Sequence, residues 1–211
     1  MKKIIKLFFL FSLIGLISFS IILSTIGIHT KRFNNLIVQK INETNNNINL
    51  KLDKIKFKLD IKVLSLFLET NNPKLFYSET LIPAKNIKVY IDFLSIIKTE
   101  PKIDKIKLTL NQINIKQLKQ LTSFLKPSNL TSFINNNIFQ GKFNTEIDVY
   151  FDENNILDNF IARGDAKELE FEISSELKFK KTDFSFFADR TDILVTNFYS
   201  ESRVSKIRDG D

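Results

Sequence analysis

The chain has 211 residues, 43% of them apolar, and a formal net charge of +7. It has no cysteine, which excludes disulfides, thiolate metal sites and a cysteine nucleophile. Its single histidine, His29, leaves the usual zinc sites and His-dependent triads without residues, and no Lys/Arg block marks a nucleic-acid arm.

The first element is Leu7–Ile28, LFFLFSLIGLISFSIILSTIGI, an uncharged run preceded by Lys2, Lys3 and Lys6. At about 1.5 Å per residue this run spans ~33 Å as a helix, against a hydrocarbon core of ~30 Å. It is longer than the apolar core of a secretory leader, and no small-x-small alanine site follows, the first alanine being Ala84. Residues 1–29 are read as a single membrane-spanning anchor with His29 at the interface. The leading lysines favour a cytoplasmic N-terminus, while Lys31 and Arg32 on the far side oppose that bias.

Residues 30–47 form the next unit. Phe33, Leu36, Ile37, Lys40 and Ile41 fall at helical spacing, and Asn45-Asn46-Asn47 ends the segment. From Ile48 the period becomes two. Ile48, Leu50 and Leu52 alternate with polar residues, and the phase slips at Asp53-Lys54, which predicts a bulge or tight turn. Ile55, Phe57, Leu59, Ile61 and Val63 continue the alternation, then Leu64, Leu66 and Leu68 after a second slip. Asn71-Asn72-Pro73 predicts a loop, Leu75–Tyr77 a short strand, and Ile87, Val89, Ile91 and Phe93 a clean strand. Leu94–Lys98 reads as one helical turn.

Ile106, Leu108 and Leu110 resume the alternation. The hexamer Leu52–Phe57 echoes Ile103–Leu108, as if one strand-entry unit were used twice. Gln117–Phe124 reads as a helix, stopped by Pro127, and Leu130, Phe133, Ile134 and Ile138 add a further helical turn or two. From Gly141 onward the pattern is β. Phe143, Ile147, Val149 and Phe151 alternate up to a turn at Asp152–Asn155. Phe160-x-Ala162-x-Gly164, Leu169-x-Phe171, Leu177-x-Phe179, Phe184-x-Phe186 and Ile193-x-Val195 follow, read as successive short strands of a meander. Arg163-Gly164-Asp165 is read as a turn, and the sequons at Asn42 and Asn129 as products of an Asn-rich composition.

The fold class is therefore mainly β (α+β). An N-terminal transmembrane helix is followed by an antiparallel sheet with short helical interruptions, in a β-rich domain from residue 48 to 211. No nucleotide-binding loop, nucleophile elbow or zinc-protease motif occurs, and the acids sit on alternating polar faces, so the chain is read as neither an enzyme nor cofactor-dependent. A one-sided apolar sheet must cover that face. Either it folds on itself as a filled sandwich, or it curves into a groove that shields acyl chains. The second costs little, because each CH2 kept out of water is worth about 0.8 kcal/mol. The residues that would line such a groove are Ile55, Phe57, Leu59, Ile61, Ile87, Val89, Ile91, Phe93, Ile106, Leu108, Phe143, Ile147, Val149, Phe151, Leu169 and Phe171.

The order of elements resembles the N-terminal region of AsmA-like proteins, which include TamB-type and YhdP-type members. The anchor and the helix Phe33–Ile41 lead through an Asn-rich turn into Ile48–Phe57. Pro83–Ile97 resembles the family's strand followed by a Leu-rich turn, and Ile103-Asp104-Lys105-Ile106 its next strand. Phe139–Phe143 and Ile161–Gly164 look like its Gly-marked β strands. The resemblance implies a bridge-like lipid carrier held in the inner membrane by one span, with its bulk in the periplasm and a groove that moves phospholipid towards the outer membrane. Its implied partners are membrane lipids and other envelope proteins, with no nucleic acid. Family members are far longer, so the β-rich domain reads as incomplete at its C-terminus. The alternative is a membrane-anchored binding or scaffold domain with a filled sandwich core.

Overall fold

The computed structural model describes residues 2–31, 33–35, 37–39, 47–52, 54–62, 65–92, 102–123, 127–152, 156–202 and 206–208. The chain is mainly β, built on one large antiparallel sheet and an apolar N-terminal helix. That helix, α1 (Lys2–Thr25), is long and apolar enough to cross a membrane. Its hydroxyls do not interrupt it: Ser20 and Thr25 donate to the carbonyls of Leu16 and Ile21. It closes where the amides of Ile26 and Gly27 both donate to the Ile22 carbonyl, with Gly27 at φ +72°.

Only Ile26 and Gly27 separate α1 from the first strand, β1 (Ile28–Thr30). The expected boundary at residue 29 thus falls inside a strand. Of the predicted juxtamembrane helix, residues 34–35 and 37–39 are helical, with the Ile37 amide donating to the Phe33 carbonyl. Leu36, Lys40 and Ile41 lie outside the described residues, as do Phe93, Val63, Leu64 and the predicted turn at Leu94–Lys98.

The strands are β2 (Ile48–Lys51), β3 (Ile55–Asp60), β4 (Ser65–Asn71), β5 (Lys74–Tyr77), β6 (Thr80–Ile82), β7 (Ala84–Ile91), β8 (Ile103–Leu110), β9 (Ile113–Asn114), β10 (Ile138–Phe151), β11 (Leu157–Glu172), β12 (Lys178–Ala188), β13 (Ile193–Ser202) and β14 (Lys206–Arg208). The main sheet runs β1-β3-β4-β7-β8-β10-β11-β12-β13-β14, with β9 also on β10. A second sheet, β2-β5-β6, has three strands. The phase slip at Asp53-Lys54 is therefore a change of sheet. The two echoing hexamers differ in structure: Leu52–Phe57 follows β2 and enters β3 only at Ile55, while Ile103–Leu108 lies wholly within β8.

Two helices interrupt the β order. α2 (Ile115–Thr122) opens on a capping box in which the Asn114 side chain accepts from the Gln117 amide and Gln117 accepts in return from the Asn114 amide. α3 (Asn129–Asn137) repeats the device with Ser128 and Thr131. The predicted helix at Gln117–Phe124 thus begins slightly earlier, and Ile138 opens a strand rather than ending a helix.

The expected short strands of the C-terminal half are long ones. β10, β11 and β12 run for 14, 16 and 11 residues. The slips read as turns are bulges. Register shifts fall between Ala166 and Leu169 on β11 and between Lys180 and Asp183 on β12, with Glu168 and Lys181 at φ +55° and +51°. A left-handed residue other than glycine costs roughly 1–2 kcal/mol, and here a specific contact offsets part of it. The Asp183 carboxylate accepts from the Glu168 amide at 2.7 Å. Arg163-Gly164-Asp165, expected in a turn, lies in the middle of β11.

At the far edge, β14 pairs with β13 from Tyr199–Arg208 to Glu201–Lys206, and Lys206 also bridges the Glu201 carboxylate at 3.2 Å. Hydrogen bonds from Tyr199, Lys206 and Lys181 hold this carboxyl at about 2, down from an ordinary 4.5. A depressed carboxyl contributes stability above its unfolded pKa and loses it as pH falls towards the folded value. Backbone protection of residues 206–208, measured by hydrogen exchange and corrected for intrinsic rates, should therefore fall between pH 4.5 and about 2. Glu201→Gln should abolish that step. Protection that ignores pH in the unmodified chain would show that Glu201 does not hold the strand.

Candidate functional site

Residues directly opposite on paired strands share a face, so the register defines the apolar surface. One row runs Phe57, Leu68, Val89, Ile106, Val149, Phe160. The next runs Thr70, Ile87, Leu108, Ile147, Ala162, Ala188, Ile193. Leu59, Leu66 and Ile91 form a third, and Phe143, Ala166 and Phe184 a fourth. The apolar face is thus continuous from β3, beside α1, to β13.

Fourteen of the sixteen groove candidates belong to this surface or to the clusters packed on it. Ile61 does not: β3 ends at Asp60, and Ile61 sits in the following turn, 50% exposed. Phe93 lies outside the described residues.

The fourteen divide by what covers them. Ile55, Ile87, Val89 and Ile91 are at most 3% exposed. They are packed under Ile37, Leu50 and Leu75, with Phe33, Ile48 and Ile82 alongside. The cover is the second sheet and the segment around Ile37, neither of which the periodicity assigned to this task. Phe57 stacks on Phe33 at 6.4 Å. Phe57, Ile106, Leu108 and Phe151 pack partly buried against the same cluster. A second cluster, Ile138, Ala166 and Leu169, lies with Phe143 and Phe171 under Ile115, Phe133 and Ile134 of α2 and α3. The Phe171 ring stacks on Phe179 at 4.9 Å.

Between and beyond these two cores the face is open among the described residues. Ile147, Val149, Phe160, Ala162 and Phe186 are half-buried, and Ile193 and Val195 are exposed. Phe160, Phe186, Ile193 and Val195 were not among the groove candidates. Phe160 joins the face of Val149 by direct pairing, and Phe186, Val195 and Ile193 follow through Gly164 and Ala162.

The opposite face is ionic. Glu69 bridges Lys58 at 2.8 Å and Lys88 at 3.8 Å, and Asn86 donates to it at 3.0 Å. Burial pushes the Glu69 carboxyl up, but the bonds from Lys58 and Asn86 and the two ammonium charges outweigh it, so the carboxyl stays below its usual value. Glu146 is held low by Lys107, at 2.8 Å, and by Arg163. Arg163 also reaches Asp148 at 3.1 Å. Lys105 lies over the rings of Tyr90 and Tyr150. These ladders fix the register and sidedness of the sheet, because a one-residue slip would place the ammonium and carboxylate groups on the apolar face.

What the arrangement can do is present apolar surface next to a membrane-length helix. In comparison with known proteins, the chain matches no family model, no curated protein and no solved structure.

Proposed function

We propose that the chain is a membrane-anchored lipid carrier module, held by α1 in the inner membrane, that takes phospholipid acyl chains onto the apolar face of its long sheet and passes them towards the outer membrane. The observation that carries this reading is the continuity of the apolar rows from β3, which touches α1, to the open stretch at Val149, Phe160 and Phe186. Acyl chains leaving a bilayer would find apolar partners all along that path. The bulges at Glu168 and Lys181 support a curved surface, because an extra residue in one strand bends it and raises the local twist. The resemblance to AsmA-like proteins supports the compartment and the direction of transfer.

A filled sandwich remains the second reading, favoured by one observation. Over β3, β4 and β7 the face is packed under the second sheet. On that reading the open stretch is a docking face rather than a lipid path.

A photo-reactive phenylalanine analogue separates the two. Placed at Val149 in the full chain, reconstituted in phospholipid vesicles, it should recover lipid adducts. Placed at the neighbouring Tyr150, which points to the ionic face, it should recover few. Equal yields at the two positions, or none at Val149, would reject the lipid path.

A further inference from the structure

The structure says where the sheet meets the bilayer. β1 leaves α1 and pairs antiparallel with β3, Ile28 opposite Phe57 and Thr30 opposite Ile55. Beyond Phe57, β3 therefore runs back alongside the helix. The reversal is tight. A Cβ on Gly27 would stand 2.8 Å from the Phe57 carbonyl oxygen and 2.7 Å from Lys58 Cγ, and Gly27 has φ +72°. Leu23, one turn further in, is 6% exposed, with Ser20 and Ser24 half-buried beside it on a helix that is mostly bare, and α1 packs against β3.

Four residues of strand, at about 3.3 Å each, carry the chain ~13 Å from Phe57 to Ile61. Part of that distance offsets the joint at Ile26 and Gly27, and the remainder brings Ile61 level with the last turn or two of α1. In a span of this length those turns sit at the boundary between acyl chains and headgroups. The residues placed there suit that boundary. Ile61 is 50% exposed, and Lys62, also exposed, has an ammonium on a flexible apolar stem. The turn is preformed, with the Lys62 amide donating to the Asp60 carboxylate at 3.1 Å.

We infer that the turn after β3 is a second membrane contact, seated in the headgroup layer beside α1, with Ile61 turned to acyl chains and Lys62 to lipid phosphates. The inference rests on α1 being a membrane span. It gives the apolar face a fixed point of contact with the bilayer: Leu59 and Leu66, the row nearest the turn, lie at the level from which a lipid would leave.

The chain contains no cysteine, so single replacements report alone. Ile61→Cys, Ile173→Cys and Leu13→Cys, each labelled with an environment-sensitive fluorophore, are compared in the full chain. Vesicles of phosphatidylcholine and phosphatidylglycerol carry spin-labelled lipids of shallow or deep position. Ile173 follows β11 at the end of the sheet away from the turn, and Leu13 lies in mid-span. The label at 61 should lose most of its emission to the shallow quencher, the label at 13 to the deep one, and the label at 173 to neither. Quenching at 13 without quenching at 61 above the level at 173 overturns this contact and leaves the span standing. No quenching at 13 overturns the span, and the contact with it.

Discussion

Replacing Gly164 by alanine should destabilise the β10–β11 hairpin by about 3 kcal/mol or more. The cause is not backbone freedom but space. A Cβ built at Gly164 would lie 1.9 Å from the Asn144 carbonyl oxygen and 3.0 Å from both the Asn144 carbonyl carbon and the Phe186 ring. Two of those atoms are backbone, so no rotamer change relieves the clash, and the strands must separate where Thr145 faces Gly164. Gly15→Ala is the matched control. Nothing lies within 4 Å of a Cβ there, and alanine is the better helix former. Chemical denaturation in detergent, followed by circular dichroism, should show a lowered midpoint for Gly164→Ala and an unchanged one for Gly15→Ala. Equal midpoints would mean that the close approach of β10 and β11 does not exist in solution.

The second large effect concerns lipid. Phe186 and Phe187 are neighbours on β12 that face opposite sides: Phe186 opposes Gly164 and Val195 on the apolar face, and Phe187 opposes Arg163 and Leu194 on the ionic face. Phe186→Lys should lower retained phospholipid about tenfold. Losing contact with two methylenes, at about 0.8 kcal/mol each, exceeds the 1.4 kcal/mol that corresponds to a factor of ten. Phe187→Lys adds the same charge to the face that already carries lysines, and should leave retention within about twofold, well under 1 kcal/mol. Lipid counted by mass spectrometry after purification of each full-length variant decides the matter. Equal losses would attribute the effect to general disruption rather than to the apolar path.

Much of this surface was legible because period-two alternation is local. Ile55-x-Phe57-x-Leu59 and Ile87-x-Val89-x-Ile91 carry charged or polar residues between them, and the register leaves those residues on the face where Glu69 meets Lys58 and Lys88. The helix around Leu118 was legible from its spacing, while its start at Ile115, set by the capping box of Asn114 and Gln117, was placed two residues late. Two things were not local. The first is sheet membership. β2 and β3 alternate alike, yet Leu50 lies in the covering layer and Ile55 in the layer beneath it. No short-range signal separates them, so the burial of Ile87 and Val89 could not be foreseen. The second is the meaning of a phase slip. At Lys167-Glu168 the alternation shifts as it would across a turn, but the chain continues in the same strand. What marks the bulge is Asp183, fifteen residues away, which receives the Glu168 amide.

The join between helix and sheet has a mechanical side. Ile26 and Gly27 are the whole of the hinge, and Gly27 is wedged against the backbone of β3. Such a joint has almost no slack. A helix that tilts to fit a thinner bilayer must carry β1 with it, and β1 is laddered to β3 and so to every strand beyond. With α1 in a bilayer, as proposed above, the sheet would act as a stiff lever whose lean follows the thickness of that bilayer. A few degrees at α1 become a displacement of several ångströms at β13.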